Sequence, residues 1–286
     1  MLDGIAVRRR FARAAATYAD ASRLEAEVGA RMLERLDYIK LAPRRVLDAG
    51  CGPAREAAAL ADRYPQATVV LLDAALPMLR LARPRGGLIT RLFTRRARPA
   101  VCAELERMPL ASASIGLAWS NMTLHWAADP LAAIRELHRV LEVNALFLFS
   151  TLGPDSLKEL RAVAGAARVH PFADMHNVGD ALVAAGFADP VMDAERMTVT
   201  YPGAKEFLAD LRATGQTCAL AARPRGLAGK RFASSLHGAL DGARRAGKLE
   251  VTYEVVYGHA WKAQPRQAAD GRSIVRFERA PRRSVS

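Results

Sequence analysis

Early in the chain, an Asp precedes two glycines and a second Asp follows about twenty residues later, the residue types and order needed to hold a nucleoside. Residues 46–52 read Val-Leu-Asp-Ala-Gly-Cys-Gly, which predicts a short buried strand running into a glycine turn. Gly50 and Gly52 let the backbone approach a ligand closely, and the helix expected after them offers unpaired N–H groups. Glycine is common in turns of every kind, so this turn alone is a weak signal.

The second acidic position follows one strand–helix–strand unit later. Residues 68–73 read Thr-Val-Val-Leu-Leu-Asp, which predicts a second buried strand ending in Asp73. A carboxylate at that place accepts hydrogen bonds from both hydroxyls of a ribose. The alternative is an Asp that only caps the helix expected from residue 74. The order of the two signals favours the nucleoside interpretation.

The residue before the first glycine distinguishes between cofactors. Dinucleotide sites read Gly-x-Gly-x-x-Gly and place a pyrophosphate on the helix N-terminus. Here Asp48 precedes Gly50, and its negative charge would repel a pyrophosphate but attract the ammonium group of a methionine moiety. The pattern therefore favours S-adenosylmethionine over NAD.

The elements around these residues alternate between strand and helix, which predicts an α/β fold with a mostly parallel sheet. We expect an N-terminal helical cap over 8–40 and a cofactor-binding half over 46–151. In that half, helices are expected at 53–63, 74–83 and 129–141, a loop at 84–99, and further strands at 101–104, 114–121 and 145–151. Asp129 is expected to cap the helix that begins with Pro130.

The C-terminal part is less regular but completes one domain over residues 1–263. A helix is expected at 174–187, and the alternating segments 192–201 and 251–262 predict strands that pair as an antiparallel edge. Between them, residues 204–247 are basic and mainly helical, which indicates a helical lid insertion. Residues 264–286 are polar and basic, and we expect them to be disordered.

Several longer segments resemble the malonyl-acyl-carrier-protein O-methyltransferases of biotin synthesis, a group of class I S-adenosylmethionine-dependent methyltransferases. The matching segments lie at 11–18, 47–53, 119–126, 129–141, 149–161, 178–191, 199–202 and 252–261, and so span most of the chain. The most specific are Trp-Ser-Asn-Met-Thr-Leu-His-Trp (119–126) and Ser-Thr-Leu-Gly-Pro-Asp-Ser-Leu-Lys-Glu-Leu-Arg (150–161). The resemblance implies a Rossmann-like, seven-stranded sheet and methyl transfer to the free carboxylate of a malonyl thioester.

The resemblance also implies roles for individual residues. Asp48, Gly50 and Gly52 would shape the methionine pocket and Asp73 would hold the ribose, while Glu104 would meet the adenine amino group. The full set assigned to the cofactor is Asp48, Gly50, Cys51, Gly52, Asp73, Ala74, Met78, Glu104, Leu105, Asn121 and Met122.

Fewer residues are assigned to the substrate. Tyr18 would close over cofactor and substrate, with a simple packing tyrosine as the alternative. His125 and Trp126 would shape the pocket wall, and His125 is not expected to move a proton. No catalytic residue is assigned, because a carboxylate with a pKa near ~4 is already ionised. Its expected partner is an arginine, since the guanidinium fork binds carboxylates bidentately, and the candidates are Arg161, Arg212 and Arg223.

Four positions depart from the pattern that the resemblance leads us to expect. Gly116 stands where an Asp is usual, and Val143-Asn144-Ala145 replaces a glycine-rich turn. Asn144 still tolerates a left-handed turn. Glu25 replaces a Gln and Cys218 replaces an Asn, both on the substrate side.

Composition limits the remaining possibilities. The net charge of the 286 residues is +13, which favours an acidic partner, here an acyl carrier protein or malonyl-CoA. Three scattered cysteines and no signal peptide or membrane-length apolar run indicate a cytoplasmic protein, with no metal, membrane or nucleic acid involved; we expect a monomer. The alternatives are another methyl acceptor, an arginine-hydroxylating assembly factor of mitochondria that resembles the same group, or a non-catalytic binding protein.

Overall fold

A computed structural model describes residues 1–82, 98–226 and 228–264. The predicted loop at 84–99 lies outside the described residues except for its last two positions. The predicted tail at 264–286 lies outside them except for its first residue. Among the described residues, no helix combines the length and the apolar character needed to cross a membrane.

The described strands form one seven-stranded sheet in the order β3-β2-β1-β4-β5-β7-β6. The strands are β1 (Arg45–Ala49), β2 (Thr68–Asp73), β3 (Ala100–Cys102), β4 (Ile115–Ser120), β5 (Leu141–Leu152), β6 (Ala188–Tyr201) and β7 (Leu249–Trp261). Strands β1 to β5 pair in parallel, whereas β7 runs antiparallel to both β5 and β6, with β6 at the edge. The predicted α/β class, the mostly parallel sheet and the antiparallel pairing at its edge are confirmed.

Helices cover both faces of this sheet. They are α1 (Gly4–Ala21), α2 (Arg23–Arg35), α3 (Ala57–Arg63), α4 (Leu76–Ala82), α5 (Pro130–Val140), α6 (Lys158–Ala164), α7 (Met175–Ala184), α8 (Ala204–Ala213) and α9 (Lys230–Gly242). One apolar cluster packs α2, α3, α6, α8 and α9 against one face, and a second packs α5 and α7 against the other. All six residues of β4 are buried, as expected for a central strand covered on both sides.

Register brings the ends of the central strands together. Leu47 pairs with Val70 of β2 and with Ala118 of β4, so β1 lies between them in parallel. Ligands of open parallel sheets bind beyond the carboxyl ends of the strands, where the order of the strands reverses. Here that place follows Ala49, Asp73 and Ser120.

Helix boundaries follow the capping groups. The carboxylate of Asp129 accepts a hydrogen bond from the Ala132 N–H at 3.0 Å, and Pro130 begins α5, as the sequence predicts. The predicted start of the N-terminal helical cap at residue 8 is wrong. The Asp3 carboxylate accepts a hydrogen bond from the Ala6 N–H, so α1 begins at Gly4. The helix predicted from residue 53 begins only at Ala57, because Ala54 adopts a left-handed φ of 58°.

The long connection between β6 and β7, residues 202–248, contains α8 and α9. It lies beside α1 and α6 rather than forming a separate sheet. We refer to residues 202–248 as the connection. Its contacts with α1 define one of the two cavities described below.

Candidate active site

The conformation of the glycine turn after β1 is fixed by contacts with β2 and with the loop after β4. The N–H groups of Gly50 and Cys51 donate to the Leu72 carbonyl at 2.7 and 3.0 Å. Gly50 has a φ of 77°, and a Cβ there would lie 2.1 Å from Thr123 Cγ2. The turn lies directly against the loop that follows β4, and its backbone is left-handed at Gly50. Only glycine tolerates both the close contact and the positive φ.

Asp73 joins the ends of β1 and β2. Its Oδ2 accepts from the Gly52 N–H at 2.9 Å, and its Oδ1 accepts from the Ala75 N–H at 2.7 Å. Burial raises the pKa of Asp73, while these two N–H groups act in the opposite direction. Each carboxylate oxygen has two acceptor positions, so Asp73 retains capacity for further donors.

Asp73 lines a cavity that we call the first cavity. Most residues predicted to contact the cofactor or close over it line this cavity: Tyr18, Gly50, Gly52, Asp73, Ala74, Met78, Glu104, Leu105 and Met122. Trp126, predicted on the substrate side, lines it as well, whereas Asp48, Cys51 and Asn121 do not. Leu105 and Met78 are apolar walls, and the acidic lining residues are Asp73, Glu104 and Glu106.

Asp48 lies behind the glycine turn. It is only 2 % exposed, and its Oδ2 has no hydrogen-bond partner among the described residues. Burial raises the pKa of Asp48 well above its ordinary value, and the charges of Glu56 and Asp73 add to this effect. A buried, unpartnered carboxylate oxygen calls for a donor or a cation.

Asn121 supports the first cavity from behind. Its Nδ2 donates to the Glu25 carbonyl at 2.8 Å, and its Oδ1 accepts from the Ser150 hydroxyl at 2.9 Å. Ser150 Oγ in turn accepts from the Met122 N–H at 2.9 Å. Met122 has a left-handed φ of 52°, which this network stabilises. Asn121 therefore positions the cavity-lining Met122, although the sequence suggested direct contact with the cofactor.

Helix α1 covers the first cavity and contributes residues that the sequence analysis missed. They are Gly4, Val7, Arg8 and Phe11, with Tyr18 further along the same face. Arg8 pairs with Glu104 across the mouth at 3.5 Å. The spacing i, i+3, i+4, i+7 is that of one helix face and could have revealed them, had the helix been extended back to residue 4. Burial raises the pKa of Tyr18 well above its ordinary value, so its hydroxyl stays protonated.

A second cavity of about 820 Å³ lies on the other side of α1. Apolar side chains from β5, α6, α8 and α9 form much of its wall, among them Leu152, Leu157, Leu160, Leu208, Leu211 and Leu236. Six arginines also line it: Arg9, Arg10, Arg168, Arg212, Arg223 and Arg225. Asp3 is the only acidic residue among its described lining residues, so the cavity is strongly basic.

The three predicted carboxylate partners lie in different places. Arg212 lines the second cavity and is exposed. Arg223 also lines it but pairs with Asp3 at 3.0 Å. Arg161 does not line it, because its guanidinium donates to the carbonyls of Pro154, Ser156 and His170 at 2.9, 3.3 and 3.1 Å. The structure therefore places Arg161 in a bracing position rather than facing the cavity.

Trp126 is the one described residue that lines both cavities. Its ring meets Phe11 edge-on at 5.1 Å and His170 at 4.7 Å. His125 lies beside it, with Nδ1 3.2 Å from the Thr151 hydroxyl, and lines neither cavity. Burial lowers the pKa of His125 to about 3, which keeps the imidazole neutral at physiological pH.

The departures noted in the sequence have local explanations in part. A Cβ at Gly116 would lie 2.9 Å from Pro43 Cβ, so glycine lets Pro43 pack against β4. Asn144 has a φ of 63°, the left-handed turn expected for it. Glu25 is buried and accepts from the Gln216 side chain of the connection. Cys218 lines the second cavity.

Comparison with known proteins gives relatives over the whole chain. A methyltransferase domain family matches residues 47–149. A malonyl-[acyl-carrier protein] O-methyltransferase of Methylovorus sp. is 50% identical, with 100% of this chain and 98% of that protein covered. Its counterpart in Laribacter hongkongensis is also 50% identical, with 95% and 94% covered, and that of Legionella pneumophila is 38% identical, with 93% of each covered.

Solved structures with the same fold are more distant in sequence. The YcgJ protein of Bacillus subtilis superposes with a TM-score of 0.58 at 14% identity, covering 84% of this chain and 100% of that one. A putative methyltransferase of Haloferax volcanii, in complex with Trm112, has the same TM-score at 15% identity, covering 92% and 100%. The fold and the full-length relatives agree, and the chain belongs to the malonyl-[acyl-carrier protein] O-methyltransferase family.

Proposed function

We propose that this protein transfers a methyl group from S-adenosylmethionine to the free carboxylate of a malonyl thioester. The acceptor is attached to an acyl carrier protein, and the product is the methyl ester that starts pimeloyl synthesis for biotin. The main support is the junction of the two cavities at Trp126, where an acid-lined nucleoside pocket adjoins a basic cavity. We further propose that it acts in the cytoplasm as a monomer.

The residues of the first cavity fit S-adenosylmethionine. Behind the glycine turn, the buried Asp48 has an unpartnered Oδ2, and a methionine ammonium bound against that turn would favour the ionised form of this carboxyl. Asp73 has free acceptor positions for ribose hydroxyls, and Glu104 offers a carboxylate for the adenine amino group. Met78 and Leu105 provide apolar surface for the base. When bound, the cofactor supplies an electrophilic methyl group on a sulfonium.

The task of the chain's own residues is to position the acceptor and to exclude solvent water from it. A carboxylic acid with a pKa near ~4 is ionised at neutral pH, so no side chain needs to remove a proton. The pKa of about 3 keeps His125 neutral and excludes it as a proton carrier near pH 7. The rate of methyl transfer then depends on two other contributions. The reacting atoms are aligned, and α1 and the connection exclude water.

The second cavity holds the acceptor by charge and shape. Arg10 donates to the Thr217 carbonyl at 2.8 Å through only one of its nitrogens, and burial lowers its pKa. Arg212 makes no ion pair with a described residue. Both guanidiniums retain donors for the malonyl carboxylate, whereas Arg161 is committed to backbone carbonyls. The leucine walls suit the flexible arm that carries the thioester.

The exposed arginines at the mouth suit the acidic surface of a carrier protein. Arg9 and Arg225 are exposed, line the cavity and pair with no described carboxylate. Complementary charge accelerates encounter and loses its effect as salt rises. We therefore expect the carrier-bound acceptor to react faster than malonyl-CoA at low salt, with the advantage shrinking at high salt.

The substrate assignment is tested with a panel of acceptors. Purified protein is incubated with S-adenosylmethionine labelled in its methyl group and with malonyl-, acetyl- and succinyl-carrier protein, or malonyl-CoA. We expect label on the malonyl acceptors and none on the acetyl carrier, which has no free carboxylate. Transfer to the acetyl carrier, or background counts on every acceptor, would refute the proposed function.

A further inference from the structure

The backbone of one residue of the connection, Ala219, is held by hydrogen bonds on both sides. The Ala219 N–H donates to His170 Nε2 at 2.8 Å, and the Ala219 carbonyl accepts from the Asp3 N–H at 2.9 Å. Ala219 is fully buried and His170 is only 5 % exposed. The residues immediately before Ala219, namely Gln216, Thr217 and Cys218, line the second cavity. The position of Ala219 therefore sets the position of that wall.

His170 is itself fixed from behind. Arg161 donates to the His170 carbonyl at 3.1 Å and to the Pro154 carbonyl at 2.9 Å, which ties the histidine to the turn after β5. On the other side, the His170 ring meets the Trp126 ring edge-on at 4.7 Å. His170 itself lines the second cavity, and it contacts both the residue shared by the two cavities and the connection.

We propose that His170 is a positioning residue for the methyl transfer, acting through Ala219 of the connection and through Trp126. It holds the wall of the second cavity in register with the junction between the cavities, so that the acceptor carboxylate is presented there. This role rests on the proposed function. Arg161, braced against three carbonyls, keeps His170 in place rather than contacting the substrate.

The chemistry of the contact requires one form of the imidazole. Nε2 accepts a hydrogen bond only when it carries no proton, so the ring is neutral with its proton on Nδ1. Burial lowers the pKa of His170 to about 4, and the nearby positive charges of Arg10 and the Met1 amino group act in the same direction. If the Nε2 acceptor were removed, the Ala219 N–H would remain without a hydrogen-bond partner, because Ala219 is buried.

Two variants separate the acceptor from the ring. His170→Phe keeps an aromatic ring against Trp126 but removes the acceptor, whereas His170→Gln places an amide oxygen close to the former position of Nε2. We expect His170→Phe to raise KM for malonyl-carrier protein by roughly tenfold, the effect of one lost buried hydrogen bond. The Kd for S-adenosylmethionine should stay unchanged, and His170→Gln should recover most of the wild-type KM.

The matched control is His176→Phe on α7, where the histidine is exposed and pairs only with Asp174. General destabilisation would lower the active fraction, and so kcat, without this rise in KM. Wild-type KM in His170→Phe, or equal damage from Phe and Gln, would overturn the proposal.

Amide exchange gives a readout that needs no substrate. We expect the Ala219 amide to exchange faster in His170→Phe and to remain protected in His170→Gln. Equal protection in wild type and His170→Phe would contradict the role of His170. A wild-type protein that transferred no methyl group would refute the proposed function, while the Ala219 exchange would still decide whether His170 holds the connection.

Discussion

At the scale of single residues, Asp73 performs two tasks with one carboxylate. It closes the glycine turn by accepting from Gly52 and Ala75, and it lines the first cavity. The two alternatives raised by the sequence, a helix-associated acid and a nucleoside ligand, are therefore compatible. The fixed N–H groups hold the carboxylate in one orientation before any ligand arrives.

Asp73→Ala removes both tasks at once. We expect the Kd for S-adenosylmethionine, measured by calorimetry, to rise at least tenfold, because a hydrogen bond to a charged group contributes about 1.5–3 kcal/mol. Asp62→Ala is the matched control, since Asp62 is exposed on α3. Equal affinity in Asp73→Ala and wild type would show that the carboxylate does not hold the ribose.

How far the sequence predicted the site depends on which contacts fix each side chain. Gly50 and Asp73 are predictable as lining residues of the first cavity because strand ends in a parallel sheet converge by rule. The sequence predicts Asn121 and Arg161 beside ligands, whereas neither lines the first or the second cavity, because their partners come from segments distant in sequence. The Asn121 amide faces the Glu25 carbonyl of α2, and Arg161 faces carbonyls whose directions depend on a turn. No spacing rule gives those directions.

At the scale of elements, α1 is a wall common to both cavities. Gly4, Val7, Arg8 and Phe11 face the first cavity, whereas Ile5, Arg9 and Arg10 face the second. A helix places residues three and four apart on one face, so one helix presents two different surfaces.

Phe11→Ala tests the cofactor face of α1. The substitution removes the edge-on contact with Trp126 at 5.1 Å and opens the roof of the first cavity. We expect the Kd for S-adenosylmethionine to rise by about three- to tenfold, since such an aromatic pair contributes about 0.5–1.5 kcal/mol beyond its buried area. Arg13→Ala, on the exposed side of the same helix, should bind as wild type does. Cofactor binding unaffected by Phe11→Ala would mean that α1 does not close this cavity.

Elements were predicted best where local chemistry decides their ends. Asp129 and Pro130 gave the start of α5, and the apolar runs gave β1, β2 and β4. The start of α3 was missed because Ala54 adopts a left-handed conformation that alanine rarely takes, imposed by the turn around the first cavity.

At the scale of the whole molecule, charge is distributed unevenly. The net charge of +13 includes six arginines around the second cavity, while buried carboxylates gather behind the first. Burial raises the pKa of Asp48, Glu25 and Glu56, which reflects the cost of keeping negative charge there. A bound cation in the first cavity offsets part of that cost.

Buried neutral histidines give stability an identifiable pH dependence. The pKa of His170 is lowered to about 4 by burial, with Arg10 and the Met1 amino group facing it, so the unfolded chain binds a proton that the folded one does not. The free energy of unfolding does not depend on His170 titration above the unfolded pKa of about 6.5. As the pH falls from there towards 4, it decreases by up to about 1.36 kcal/mol per pH unit.

Urea unfolding of wild type and His170→Asn between pH 7 and 4.5 isolates this effect, because contributions from the buried carboxyls cancel in the difference. We expect the free energy of unfolding of wild type, relative to the variant, to decrease as pH falls. A difference that stays constant over this range would show that His170 titrates normally in the folded protein.

The central claim is that the methyl group ends as an ester on the malonyl carboxylate, and the mass of the intact carrier protein tests it most directly. After reaction with S-adenosylmethionine, malonyl-carrier protein should gain the mass of one methylene. Neutral hydroxylamine, which cleaves the thioester, should release that gain with the acyl group, and alkaline hydrolysis of the released acyl group should then yield methanol. An unchanged mass, or a gain that stays on the carrier protein after the thioester is cleaved, would contradict the account.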